Sequence, residues 1–162
     1  MSQEKTNAMR VLEGKKIPYQ AFTYSPEIHV ATEVAATLGF PASEVYKTLV
    51  VLREKGKPLL VMVASEKEID LRRLAKSVDE KSLRMALRKE AERLTGLQVG
   101  GISALALLNK GFDIYIDRPA LGLEYVLVSA GKRGINLRLR VNDLVAVTGA
   151  RPVEATAAAE NA

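Results

Sequence analysis

Two apolar runs, Tyr46 to Arg53 and Leu59 to Ala64, are separated only by Glu54-Lys55-Gly56-Lys57-Pro58. Runs of this length and spacing around a Gly- and Pro-bearing connector predict a β-hairpin. The first run contains Thr48-Leu49-Val50-Val51-Leu52, which reads as a buried strand, so the hairpin belongs inside a core. Lys47 stands at its entrance. A buried ammonium is costly unless a carboxylate, backbone carbonyls or an anionic ligand compensates it. The alternative is that its long stem carries the charge out to water from the strand end.

The rest of the chain alternates helical and strand signals without a repeat. Asn7 to Lys15 has helical spacing through Ala8, Val11 and Leu12, and Thr32 to Leu38 forms a second helix stopped by Gly39 and Pro41. Between them, Tyr19 to Tyr24 alternates as a strand until Ser25-Pro26 breaks it. Asp70 is a suitable N-cap for a helix over Leu71 to Lys76. The pattern from Ser82 to Leu94 predicts a longer helix ended by Gly96.

Strand patterns return at Asp113 to Ile116, Tyr125 to Ser129 and Ile135 to Arg140, the last two flanking a glycine-bearing loop over 130–134. A short apolar segment, Asp143 to Val147, closes the domain, and residues 151–162, rich in Ala and Glu, read as a flexible tail. Strands at both ends, helices between them and hairpin-length connections predict an α+β fold. The sheet is expected to be mixed or antiparallel, curled and barrel-like, with helices packed outside. One domain over residues 1–150 accounts for the length.

Composition narrows the chemistry. With no cysteine among 162 residues, disulfides, thiolate catalysis and cysteine–zinc sites are excluded. His29 is the single histidine, which removes any His–His metal motif and any confident Ser–His–Asp triad. No cofactor or metal is expected. The N-terminal segment lacks the apolar core of a signal peptide and no long apolar run occurs, so a cytoplasmic protein without membrane contact is expected. The net charge of +5 suits a polyanionic partner, although an aromatic content of 5% argues against reading single strands by extensive stacking.

Several motifs carry a resemblance together. They are Tyr46-Lys47-Thr48-Leu49-Val50-Val51, Leu94 to Ser103 with its Gly100-Gly101-Ile102-Ser103 end, Val128-Ser129-Ala130-Gly131-Lys132-Arg133-Gly134, and Leu144 to Ala150. In order and spacing they resemble the YbaK/ProX family, which comprises free-standing aminoacyl-tRNA deacylases and the editing domain of bacterial prolyl-tRNA synthetases. The resemblance implies an editing enzyme that cleaves the ester of a mischarged aminoacyl-tRNA.

It also implies site roles. Lys47 matches the functional lysine and is expected to anchor the phosphate or ribose of the terminal adenosine, near the carbonyl that gains charge. A general-base role would require a much lowered pKa. Gly100, Gly101, Ile102 and Ser103 match the loop beside that carbonyl, where adjacent glycines let backbone N–H groups approach a ligand. A tight turn is the plainer reading of two glycines alone. Many members continue this loop with proline where this chain has Ala104, a departure that loosens the loop.

Tyr24 matches a pocket tyrosine, Thr48 follows the lysine with a hydroxyl, and Ser129 and Gly131 match positions near the terminal ribose. Each also has a plain structural reading as core, strand or hairpin residue. Lys132 and Arg133 are the better candidates for phosphate contact, whereas Arg72-Arg73 and Arg84 to Lys89 read as solvated helix faces. The wording of the motifs is closest to the branch acting on Cys-tRNA, in which the substrate thiol attacks the carbonyl; water attack fits equally well. Prolyl- and cysteinyl-tRNA synthetases are the partner proteins that the resemblance suggests. An Ala-specific deacylase, a non-catalytic tRNA- or synthetase-binding module and a regulatory protein-binding module are the alternatives.

Overall fold

The computed structural model describes residues 5–157. Helix α1 (Asn7–Gly14) starts where the Thr6 hydroxyl accepts from the Met9 N–H, and it buries Ala8, Met9 and Leu12. Strand β1 (Gln20–Thr23) leads to α2 (Ala31–Leu38). The hairpin follows as β2 (Tyr46–Arg53) and β3 (Leu59–Ala64), antiparallel with Tyr46 opposite Ala64 and Val51 opposite Leu59. Asp70 caps α3 (Leu71–Ser77) by accepting from the Arg73 N–H at 3.1 Å.

The helix expected over Ser82 to Leu94 is divided. Leu83–Met85 is strand β4, paired with Val51–Arg53 of β2, and only Arg88–Thr95 is helix α4, capped by Gly96 at φ +73°. The physical reason is tertiary: the β2 edge offers backbone partners, and alternation turns Leu83 and Met85 together toward apolar neighbours. The chain continues through β5 (Asp113–Asp117), β6 (Tyr125–Ser129), β7 (Ile135–Arg140) and α5 (Val141–Thr148).

A final strand, β8 (Arg151–Val153), corrects the expected tail. It pairs in parallel with Tyr115–Asp117 of β5, and Val153, Ala155 and Thr156 are buried. Asp117, only 2% exposed, holds this end: its carboxylate accepts from the Ala155 N–H at 2.9 Å and the Thr156 hydroxyl at 2.5 Å. The Ala155 carbonyl in turn accepts from the Asp70 N–H. A buried carboxylate with two donors is stable only while those donors stay, so the segment is part of the folded unit. Pro152 is tolerated because β8 is an edge strand. Residues 158–162 of the expected tail lie outside the described residues.

The sheet does not curl into one barrel. Two sheets form, a three-stranded antiparallel β1-β7-β6 and a five-stranded mixed β4-β2-β3-β5-β8. The largest core cluster joins the inward residues Val50, Leu60, Met62 and Ile116 of the larger sheet to Val126, Val128, Leu137 and Leu139 of the smaller, with α1 and α5 against it. The opposite face of the larger sheet packs Val51, Val61 and Val63 with Leu74 of α3, Val153 and Ala155. The outer face of the smaller sheet receives α2 through Ala35, Val45 and Leu127.

One consequence of this layering positions the site. Strand β4 covers only Val51–Arg53, so Lys47–Leu49 form a free strand edge. Just before it, Val45 bridges to Leu127 of β6 and joins the two sheets.

Candidate active site

A cavity of about 550 Å³ opens at this seam. Its walls are the free start of β2, residues 29–34 at the head of α2, the corner from Met85 to Ala91, the turn at Val99 and Gly100, and Ser129 and Asn136 on neighbouring strands. Of the residues expected from the sequence, Lys47, Tyr24, Thr48, Gly100, Ile102 and Ser129 line it together. Gly101, Ser103 and Gly131 do not.

Lys47 is half-buried, and its Nζ donates to the Ser65 carbonyl at 3.3 Å. That carbonyl is held in place because Ser65 is buried, with its N–H on Val45 O at 2.7 Å and its hydroxyl on Ala42 O at 2.7 Å. Among the described residues, no salt bridge includes Lys47. An ammonium has three donors, so one long bond to a carbonyl leaves most of its capacity for a ligand.

Ser129 and Asn136 face each other across β6 and β7. The Asn136 amide, 4% exposed, donates through Nδ2 to the Tyr24 hydroxyl at 3.0 Å, while its Oδ1 has no partner. The Ser129 hydroxyl is likewise buried without a partner. Orphaned buried polar atoms are rare because each forfeits its hydration, and two side by side in a cavity wall mark where a polar ligand would be satisfied. Burial raises the pKa of Tyr24, more than its bonds from Asn136 and Gly134 lower it. The phenol therefore stays protonated and retains a proton to donate.

Asn136 was missed from the sequence because Ile135–Arg140 alternates apolar and polar residues, which makes Asn136 look like an ordinary outward-facing position beside Arg138 and Arg140. Glu66 and Glu68 at the exposed rim, and Arg88, were also missed as cavity residues. The single histidine, His29, is exposed yet reaches the cavity.

The glycine segment serves chiefly to let two loops touch. Gly101 N–H closes a turn onto Gln98 O at 2.8 Å, so that donor is already used. A Cβ on Gly101 would lie 2.8 Å from the Arg133 backbone nitrogen. At Gly100, φ is +95° and a Cβ would lie 2.6 Å from the His29 Cβ, so only glycine fits. The expected cradle of paired glycine N–H groups therefore loses one donor to the turn. Ser103 is buried, and its hydroxyl accepts from the Ala106 N–H at 3.3 Å, within the 3-10 turn over Leu105–Leu107. Gly131 packs toward Ala106. Ala104 has φ −62°, the value a proline would impose, so the turn holds by itself the geometry expected to loosen.

The cavity thus offers the half-buried Lys47 ammonium with open donors, the Arg88 guanidinium, a protonated phenol, two orphaned polar groups and a free strand edge. A phosphate- or ribose-bearing ligand with a polar carbonyl matches that inventory.

Comparison with known proteins gives the same direction. The family model for the aminoacyl-tRNA editing domain matches residues 25–147. EbsC of Enterococcus faecalis, whose name carries a provisional Cys-tRNA(Pro)/Cys-tRNA(Cys) deacylase assignment, is 34% identical over 96% of this chain and 95% of its own length. A proline–tRNA ligase of Lactobacillus delbrueckii subsp. bulgaricus is 30% identical over 62% of this chain, which corresponds to 18% of that longer protein. A solved structure described as a trans-editing enzyme for prolyl-tRNA synthetase, itself a provisional description, superposes with a TM-score of 0.79 at 26% identity, covering 96% of this chain and all of that one. The domain match includes the cavity residues from His29 through Asn136, and on that ground the chain belongs to the aminoacyl-tRNA editing domain family.

Proposed function

We propose that this protein is a trans-editing aminoacyl-tRNA deacylase whose substrate is a mischarged tRNA, foremost Cys-tRNA(Pro) or Cys-tRNA(Cys). The single observation carrying the reading is the cavity in which Lys47, without a carboxylate partner, meets the unpartnered Ser129 and Asn136. The Cys preference rests on the likeness to EbsC.

In this reading Lys47 anchors the terminal phosphoribose and stabilises the negative charge that develops on the carbonyl oxygen of the ester in the transition state. Tyr24, Asn136 and Ser129 hydrogen-bond the terminal ribose, and Gly100 and Ile102 form the wall beside the carbonyl. Thr48 contributes its hydroxyl at the free strand edge. Glu66 and Glu68 at the rim face the α-ammonium that an aminoacyl ester carries.

Ser129 is not the nucleophile in this scheme, because its hydroxyl has no hydrogen-bond partner to take its proton. The ester is already activated, so positioning supplies most of what is needed. With a cysteinyl substrate, its sulfur bonds to the carbonyl carbon as the carbon–ribose oxygen bond breaks. The thiol proton passes to the departing ribose oxygen and a thiolactone leaves; with water as nucleophile the products are free amino acid and tRNA.

Such an enzyme works in the cytoplasm alongside prolyl- or cysteinyl-tRNA synthetase. Among the described residues no helix is long and apolar enough to cross a membrane. The deciding experiment is a panel of mischarged tRNAs, including Cys- and Ala-tRNA(Pro), incubated with the protein and with Lys47→Ala. Release by the wild type, fastest for Cys-tRNA, and its loss in the variant are expected. Binding of tRNA without turnover of any panel member would replace this reading with a non-catalytic binding module.

A further inference from the structure

Ester cleavage moves a proton as well as a bond. The nucleophile, a thiol or water, must lose one, and the departing ribose oxygen must gain one. A single side chain able to do both near neutral pH would serve both halves of the reaction. The cavity walls hold few groups of that kind. Tyr24 and Tyr46 keep their protons, because burial raises both, and the charges of Asp117 and Glu66 help push Tyr46 up to about 12. Lys47 is needed as an ammonium, a guanidinium such as that of Arg88 serves as a fixed charge, and Glu66 and Glu68 face the α-ammonium. That leaves His29, and imidazole is the side chain that takes and returns a proton near neutrality.

The fold holds His29 in place through its backbone. Its loop is closed by the Ile28 N–H on Ser25 O at 2.9 Å and by the Glu27 N–H on Ser25 Oγ at 3.3 Å. His29 then lies against Gly100, where an added Cβ would come within 2.6 Å of the His29 Cβ and 3.1 Å of its carbonyl oxygen. Gly100 belongs to the wall assigned to the reacting carbonyl, so this close approach brings the imidazole-bearing loop beside that carbonyl. The ring makes no hydrogen bond or ion pair among the described residues, and the residue is exposed. An exposed imidazole pays little desolvation in either protonation state and is free to cycle between them. On its outer side the charged neighbours are Glu27 of its own loop and Lys132 and Arg133 of the loop over 130–134, with the Arg133 Nε directed to the Val99 carbonyl.

We propose that His29 is a catalytic residue of the ester cleavage, the base that takes the nucleophile's proton and the acid that returns it to the departing ribose oxygen. This rests on the preceding reading of the cavity as a deacylase site. With a cysteinyl substrate, the thiol proton moves to an imidazole nitrogen as sulfur bonds to the carbonyl carbon. When the carbon–ribose oxygen bond breaks, that nitrogen gives the proton to the ribose oxygen. Thiolactone and tRNA leave, and the imidazole is neutral again. Water follows the same cycle and yields the free amino acid.

The test is single-turnover deacylation of Cys-tRNA(Pro) between about pH 5.5 and 9 by wild type, His29→Ala and His29→Gln, with and without added imidazole. At neutral pH both variants should be slower by about a hundredfold or more, the range for a lost general acid–base group. The deficit should shrink toward about pH 8.5, where a cysteine thiol ionises unaided and needs no base. Added imidazole should restore part of the rate to His29→Ala and leave wild type unchanged.

Rates for both variants within about twofold of wild type overturn the proposal and leave the deacylase reading standing. A deficit that is equal at every pH and unrelieved by imidazole also overturns it, and assigns His29 a packing role against Gly100. The dependence on pH and the imidazole rescue separate catalysis from folding even if one variant is less stable. Failure of the wild type to release any amino acid removes the deacylase reading and this inference together.

Discussion

Strand β2 carries a cation on the same face at each end, Lys47 at its entrance and Arg53 at its exit, and their surroundings differ sharply. Arg53 pairs with Glu80 at 3.1 Å and with Asp113, and its Nε donates to Lys57 O at 2.7 Å. Burial pulls its pKa down, but the bonds to Asp113 and Glu80 outweigh that, so the net shift is upward. Lys47 has one 3.3 Å bond to a carbonyl and no carboxylate. Arg53 is a closed polar cluster that ties the hairpin to β5 and the end of α3. Lys47 is an open one, left for something outside the chain. Polar groups that the protein satisfies by itself stabilise it; those that it leaves unsatisfied at a cavity point to a ligand.

Four substitutions can break or sharpen that contrast. Lys47→Ala should lower deacylation of a Cys-tRNA panel member about a thousandfold, roughly 4 kcal/mol of transition-state stabilisation. Its urea midpoint should stay the same or rise, because a half-buried charge is removed without orphaning a carboxylate. A parallel loss of folding would put Lys47 in the same class as Arg53.

Arg53→Ala should do the reverse. It strands Asp113 and Glu80, which are partly exposed and so partly rescued by water, and a loss of about 1–2 kcal/mol in urea unfolding is expected. Turnover by the fraction that remains folded should be near that of the wild type; a large fall in kcat at equal folded population would deny the division between the two ends.

Asn136→Ala should cost about tenfold in kcat/KM, near 1.4 kcal/mol, measured beside thermal unfolding. Stability should move by less than about 1 kcal/mol, because the orphaned Oδ1 is removed together with its bond to Tyr24. If unfolding falls by several degrees while kinetics are unchanged, Asn136 is a structural residue of the sheet. The smallest effect is expected from Ala104→Pro. The native φ of −62° already suits proline, so the change should be within about 1 kcal/mol, with the amino-acid preference unaltered. A shift in the ratio of Cys- to Ala-tRNA turnover would show that rigidity of this turn sets the preference.

Legibility followed the range of the interactions. The hairpin Tyr46–Ala64, the Asp70 cap, the Gly96 terminus and the strands Tyr125–Ser129 and Ile135–Arg140 are local patterns, and they occur where the sequence predicts them. Strand β4 looked helical because its apolar spacing satisfies either period over so short a stretch; the unpaired edge of β2 decided it. Strand β8 was invisible because its anchor, Asp117, is more than thirty residues away in sequence. The same holds in the site: Lys47 and Ser129 stood out through motifs, whereas Asn136 acquires meaning only opposite Ser129 and beneath Tyr24.

The sequence alone established the apolar hairpin, the α+β class, the absence of thiol chemistry and the problem posed by a cation at the head of a buried strand. Those follow from local periodicity and composition. Tertiary structure decided how that problem is left: β4 stops short, Val45 crosses to the other sheet, and the gap exposes Lys47 beside two unsatisfied polar groups. It also decided that the Gly101 N–H is taken up by the Gln98 carbonyl within the turn, and that both glycines lie against Arg133. The reason is that a single sequence displays which polar groups exist, while only the packed chain shows which of them already have partners.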